Sequence, residues 1–120
     1  MVGGEVLVLP KFIEICCELV DNGIRIRFET NLSVTKKVIE FTNVINPNKV
    51  EGIAVSLHIE EREKRGSVEE FIQNIFLLRD KGFDISMVNY VLHPSLLHRF
   101  EEDYAFFKTK GINLTPIPLF

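Results

Sequence analysis

The sequence predicts an α/β protein of repeated βα units carrying a mostly parallel, open sheet. Three observations support this. A glycine followed by Ile or Phe recurs at Gly23-Ile24, Gly52-Ile53, Gly82-Phe83 and Gly111-Ile112, at intervals of 29, 30 and 29 residues. That interval is the length of a strand, a loop and a helix together. Gly23, Gly82 and Gly111 close amphipathic segments, where a left-handed residue ends a helix without a Cβ penalty. Between those segments lie short runs rich in β-branched residues, and strands alternating with helices of this length imply right-handed crossovers and parallel pairing.

Each element can be justified in turn. Phe12, Ile13, Cys16, Leu19 and Val20 recur at helical spacing and stop at Asp21-Asn22-Gly23, with Pro10 at the start, where a missing N–H costs little. Ile24 to Thr30 reads as a strand, and Val34 to Ile45 as a weaker helix with Val38, Phe41 and Ile45 on one side. Asn46-Pro47-Asn48 breaks that helix before a second strand, Ile53 to His58. The run Glu60-Glu61-Arg62-Glu63-Lys64-Arg65 reads as a solvated loop. Ser67-Val68-Glu69-Glu70 has the form of a capping box and opens a helix carrying Val68, Phe71, Ile72, Ile75 and Leu78. A third strand follows at Asp84 to Leu92. Leu97, Phe100, Tyr104 and Phe107 then mark a helix that ends at Lys110-Gly111, and Ile112 to Ile117 is the fourth strand. Lys81 and Lys110 suit the negative ends of their helix dipoles.

Composition sets bounds. A chain of 120 residues with 46% hydrophobic and 26% charged residues fits one folded domain spanning 1–120. A net charge of −3 with no Lys/Arg stripe excludes an obvious nucleic-acid surface. No apolar run approaches the ~20 residues a membrane span needs. The two cysteines, Cys16 and Cys17, are adjacent within a helical pattern, so they read as core thiols of a reducing cytoplasm rather than as a disulfide framework.

Function is sought beyond the C-terminal strand ends, where parallel α/β folds bind ligands. Polar residues gather there: Gly3-Gly4-Glu5, Thr30 to Ser33, Ser56-Leu57-His58 and Asn89 to Pro94. The strands are also polar on one side, since Arg25, Arg27 and Glu29 alternate with Ile24, Ile26 and Phe28, while Asn113 and Thr115 share a face. A sheet curling around a solvated cavity has such a face, as does a sheet left open. Only Met1 and Val2 precede Gly3-Gly4-Glu5, so the reading expects a domain entered after a missing strand.

Gly3-Gly4-Glu5 followed by Leu9-Pro10-Lys11-Phe12 resembles the Gly-Gly-Glu segment of radical S-adenosylmethionine (SAM) enzymes. Phe28-Glu29-Thr30-Asn31 is similar to that family's next strand, and Val55-Ser56-Leu57-His58 to the one after it, followed by an arginine-bearing loop. The resemblance covers essentially the whole chain in order. It implies part of a (β/α) barrel and a SAM site in which Gly3, Gly4 and Glu5 hold the amino group. Ser56 would contact the carboxylate or ribose, and an arginine would pair with the carboxylate, with Arg65 favoured over Arg62. Asn31 and Asn89 would line the same pocket.

The departures are specific. The family's Cys-x3-Cys-x2-Cys loop, which holds a [4Fe–4S] cluster, is absent, and Val6 stands where the family has proline after Gly-Gly-Glu. Adjacent helical cysteines lack the loop spacing that cluster ligands need. The resemblance thus implies a fragment carrying SAM-binding strand ends that is not catalytically competent alone. It would be completed by a cluster-bearing N-terminal part or a separate chain, and the intact enzyme would act on a small molecule or peptide. The alternative is a stand-alone, cluster-free module that binds a ligand or a protein. A metal site made from His58, His93, His98 and Glu29 is a further reading, though these histidines lack tight ligand spacing. An open edge beside the first strand would favour self-association.

Overall fold

A computed structural model describes Leu7, Leu9 and residues 11–118. The elements alternate as the glycine period requires: α1 (Phe12–Asp21), β1 (Ile26–Thr30), α2 (Thr35–Val44), β2 (Val50–Leu57), α3 (Ile59–Lys64), α4 (Val68–Asp80), β3 (Ile85–Leu92), α5 (Phe100–Thr109) and β4 (Leu114–Pro118). The strands form one sheet in the order β1-β2-β3-β4, and every neighbouring pair is parallel. Right-handed crossovers between strands laid down in sequence place all the helices on one face, the geometry of part of a barrel.

Gly23, Gly82 and Gly111 end α1, α4 and α5 with φ of 80°, 91° and 80°, a conformation that explains why the period is punctuated by glycine. Gly52 differs, because it lies inside β2, where an added Cβ would sit 3.3 Å from the Ser86 Cβ. Glycine there permits the close approach of β2 to β3 at the irregularity before Ala54.

The core lies between the sheet and the helices. Ile53, Val55 and Leu57 of β2, with Val88 and Tyr90 of β3, are buried against Phe41 of α2, Phe71, Ile72 and Ile75 of α4 and Phe107 of α5. Phe12, Phe28, Phe41 and Phe83 form a chain of ring contacts with centroids 5.3, 5.3 and 5.4 Å apart. These contacts tie α1 and α2 to the β1 side of the sheet. Among the described residues the opposite face carries no helix, and along it run Arg27, Glu29, Ala54, Ser56, Asn89 and Thr115, as the β alternation dictates.

Three local expectations need correction. The acidic-basic run after β2 is not a loop but the short helix α3, which buries Ile59 and Arg62. The capping box is not made. Ser67 caps α4 with no side-chain bond to the helix and instead pairs with Arg62, while Glu70 accepts from the Thr35 hydroxyl. β2 also begins three residues earlier than expected, at Val50, directly after a 3₁₀ turn at Pro47–Lys49.

Candidate functional site

The first loop of the site is fixed by its own backbone. After β1, Leu32 takes φ of 54°, unusual for a residue with a side chain. Three contacts hold it there. The Leu32 N–H donates to Thr30 Oγ1 at 3.1 Å, and the Ser33 N–H donates to Asn31 Oδ1 at 3.0 Å. Asn74 of α4 donates to the Leu32 carbonyl at 3.3 Å. With the Leu32 side chain fully buried, the turn has little freedom, and Asn31 and Ser33 are set at the end of β1.

Arg62 secures the other side. Only 7% exposed, it donates to the Asn31 carbonyl at 2.5 Å and to Ser67 Oγ at 3.4 Å. Its guanidinium lies 5.0 Å from the centre of the Phe71 ring. This one side chain joins the β1–α2 turn, α3 and α4. Arg65 follows on the outer side of α3; it is exposed, and its guanidinium makes no hydrogen bond or ion pair among the described residues.

Asn31, Ser33, Ser56, His58, Glu61, Arg62 and Arg65 together line a hollow of about 80 Å³ at the C-terminal ends of β1 and β2. That is room for a small charged group such as a carboxylate, not for a whole nucleoside. With Arg62 committed to the fold, Arg65 is the cation left to meet an anion there.

Next to the hollow, on the helix-free face, Glu29 Oε2 accepts from Ser56 Oγ at 2.9 Å and from Asn89 Nδ2 at 3.3 Å. Ser56 and Asn89 are register partners, as are Asn89 and Thr115, so the polar groups form a row across all four strands. Asn89 is 9% exposed, and its Oδ1 has no hydrogen-bond partner among the described residues. Beyond Glu29 a larger hollow of about 410 Å³ is lined by Arg27, Glu29, Glu51, Gly52, Ala54 and Ser86.

Of the residues expected at the site, Asn31, Ser56 and Arg65 share the small hollow, and Asn89 joins Ser56 through Glu29. Gly3, Gly4 and Glu5 lie outside the described residues. Glu29, expected on the polar face of its strand and as one candidate metal ligand, is the centre of the polar row. Its place beside Ser56 follows from strand alternation plus a register that no local pattern encodes.

A second network was missed. Tyr90, fully buried on the helix side of β3, donates to Asp103 Oδ2 at 2.6 Å. Arg99 donates to both Asp103 oxygens at 2.9 and 3.0 Å, and to both Glu63 oxygens at 2.8 and 2.7 Å. Burial, reinforced by the Asp103 carboxylate, pushes the Tyr90 hydroxyl well above its usual range. The hydrogen bond from Arg99 holds the Glu63 carboxyl below its usual value. The network clamps α3 and α5 to β3 and so steadies the helix that Arg65 caps at its C-terminus.

The cysteines do not suit an iron–sulfur cluster. Cys16 is buried in α1, and burial, together with its neighbour Cys17, pushes its thiol up to about 11. That disfavours the thiolate a metal requires. Among the described residues no group of three or more His, Cys, Asp or Glu side chains is placed to hold a metal ion. No helix among them is long and apolar enough to cross a membrane.

A family model described as Radical SAM superfamily matches residues 1–107. No curated protein and no solved structure matches the chain.

Proposed function

Starting from the fact that the chain belongs to the radical SAM superfamily, we propose that its strand ends bind SAM while any [4Fe–4S] cluster serving them is held by cysteines outside these 120 residues. The observation that carries the reading is the hollow at the ends of β1 and β2, which gathers Asn31, Ser56 and Arg65, whose guanidinium has no partner among the described residues. A guanidinium matches a carboxylate in charge and planar geometry, so Arg65 takes the SAM carboxylate. Ser56 and Asn31 fix its orientation, and Gly3, Gly4 and Glu5 receive the ammonium end. Within the family a cluster supplies the electron that cleaves SAM. The adjacent, helical cysteines of this chain do not fit that role, so its own residues bind and orient, and a cluster-bearing segment or separate chain completes the enzyme. The substrate is a small molecule or peptide, and the free thiols suit a reducing cytoplasm.

Anaerobic reconstitution with iron and sulfide tests the division of labour. The expected outcome is no stable cluster absorbance in the isolated chain, with SAM binding weakly and giving only small heats by calorimetry. A stoichiometric, stable cluster would overturn the assignment of Cys16 and Cys17. A second reading, a cluster-free module that binds a ligand other than SAM, draws on the same cysteine chemistry. It would be favoured if SAM left the strand-end residues unperturbed.

A further inference from the structure

The helix α3 stands between two hollows. Glu61, Arg62 and the C-cap residue Arg65 line the strand-end hollow, whereas Ile59 and Glu63 line a groove of about 340 Å³ shared with Arg99 and Phe106. Six residues long, with only Ile59 and Arg62 buried, α3 depends on tertiary contacts for its place, because a helix this short is not stable by itself. Two adjacent side chains anchor its C-terminal turn to different elements. Arg62 ties it to Asn31, Ser67 and Phe71. Glu63 ties it to Arg99, accepting at 2.8 and 2.7 Å on its two oxygens, and Arg99 is held in turn by both oxygens of Asp103. The same turn sets the backbone of Arg65. The Arg65 N–H donates to the Glu61 carbonyl at 3.2 Å, and the Gly66 N–H donates to the Glu63 carbonyl at 3.1 Å.

A bidentate pair between planar groups fixes orientation as well as distance. With Arg62 as its one charged anchor the end of α3 could still swing, and Glu63 supplies the second point that stops it. Arg65 gains from this directly. Its guanidinium has no partner among the described residues, and a long side chain gives up much rotamer freedom on meeting a ligand, so a fixed backbone beneath it lowers the ordering left to do at binding. We propose that Glu63, which does not line the strand-end hollow, is a positioning residue for Arg65: its bond to Arg99 fixes the turn from which Arg65 reaches an anionic group in that hollow. Naming that group the carboxylate of SAM rests on the reading given above. The fixing of the Arg65 backbone is a property of the chain without ligand and is tested separately.

The test uses the full 120-residue chain, labelled with ¹⁵N, as the parent and as Glu63→Gln, Tyr90→Phe and Glu60→Gln. Glu63→Gln keeps the shape of the side chain and removes the charge that the Arg99 fork grips. Tyr90→Phe weakens the same network at its buried end but leaves Glu63 and Arg99 joined, so it lowers stability without releasing α3. Glu60→Gln removes the same charge from an exposed position of α3. Without ligand, ¹⁵N relaxation should show lower backbone order at Arg65 and Gly66 in Glu63→Gln and in neither control. With SAM, Glu63→Gln should raise the apparent Kd read at the Arg65 side chain by about fivefold, the upper end of what one exposed ion pair supplies. Both controls should stay within about twofold of the parent. Unchanged order at Arg65 in Glu63→Gln, an unchanged Kd for SAM in that variant, or an equal loss in either control would overturn the proposal. If SAM fails to perturb Arg65 in the parent, the SAM reading falls, and the relaxation comparison alone decides the role of Glu63.

Discussion

Replacing Arg62 by methionine keeps the apolar stem that packs in α3 but removes the guanidinium. Lost with it are the 2.5 Å bond to the Asn31 carbonyl, the contact with Ser67 and the stacking on Phe71 at 5.0 Å. A hydrogen bond from a charged donor contributes about 1.5–3 kcal/mol, and a desolvated cation–π contact about 1–2 kcal/mol. Because the side chain is only 7% exposed, solvent does little to replace either, and the variant should lose about 3 kcal/mol. For a chain of this length that is a fall in Tm of about 12 °C. Arg65→Met, three positions on and exposed, should stay within about 0.5 kcal/mol of the parent. Urea unfolding followed by circular dichroism measures both. A loss under about 1 kcal/mol for Arg62→Met, or an equal loss for Arg65→Met, would refute the division between a structural and a ligand-binding arginine.

Other perturbations give distinct outcomes. Tyr90→Phe removes a 2.6 Å bond to Asp103, which keeps its two bonds to Arg99, so denaturation should report a loss of about 1–2 kcal/mol. The folded Glu63 carboxyl titrates below its ordinary value of 4.5. The stability it contributes is therefore complete above that value and disappears as pH falls through the lower, folded one. Glu63 is 45% exposed, which makes the effect small, and Glu63→Gln should flatten that part of the acid unfolding profile; an unchanged profile would argue against the Arg99 contact in solution. β1 is one of the two outer strands among those described, with Arg27 exposed on it. Sedimentation at rising concentration should show reversible self-association through this edge, whereas a monodisperse monomer at the highest concentration would contradict it.

Much of this fold is legible in the sequence because its period is set by local chemistry. Gly23, Gly82 and Gly111 have positive φ, so the residue type itself marks the helix ends. α3 was not legible, because a helix with only Ile59 and Arg62 buried has no apolar stripe and owes its form to packing on Phe71. Ser67 and Glu70 satisfied a pattern but took other partners, Arg62 and Thr35, and the Thr35 contact joins residues 35 positions apart. Asn31 and Ser56 were legible from their places at strand ends, whereas Arg65 came from the resemblance alone; all three line the small hollow. Glu29 as their link to Asn89 could not, because it depends on register. Two signals were available for what was missed. Asn74 lies within the apolar stripe of α4 and Asp103 among the aromatic residues of α5, and a polar residue on an inward helix face announces a buried partner, here Leu32 and Tyr90.

The most direct test of SAM binding at the strand ends is a residue-resolved titration of the ¹⁵N-labelled chain with SAM. Shifts concentrated at Asn31, Ser33, Ser56 and the Arg65 side chain, abolished by Arg65→Ala without loss of the fold, are predicted. Shifts that avoid these residues, or that persist undiminished in Arg65→Ala, would contradict the account.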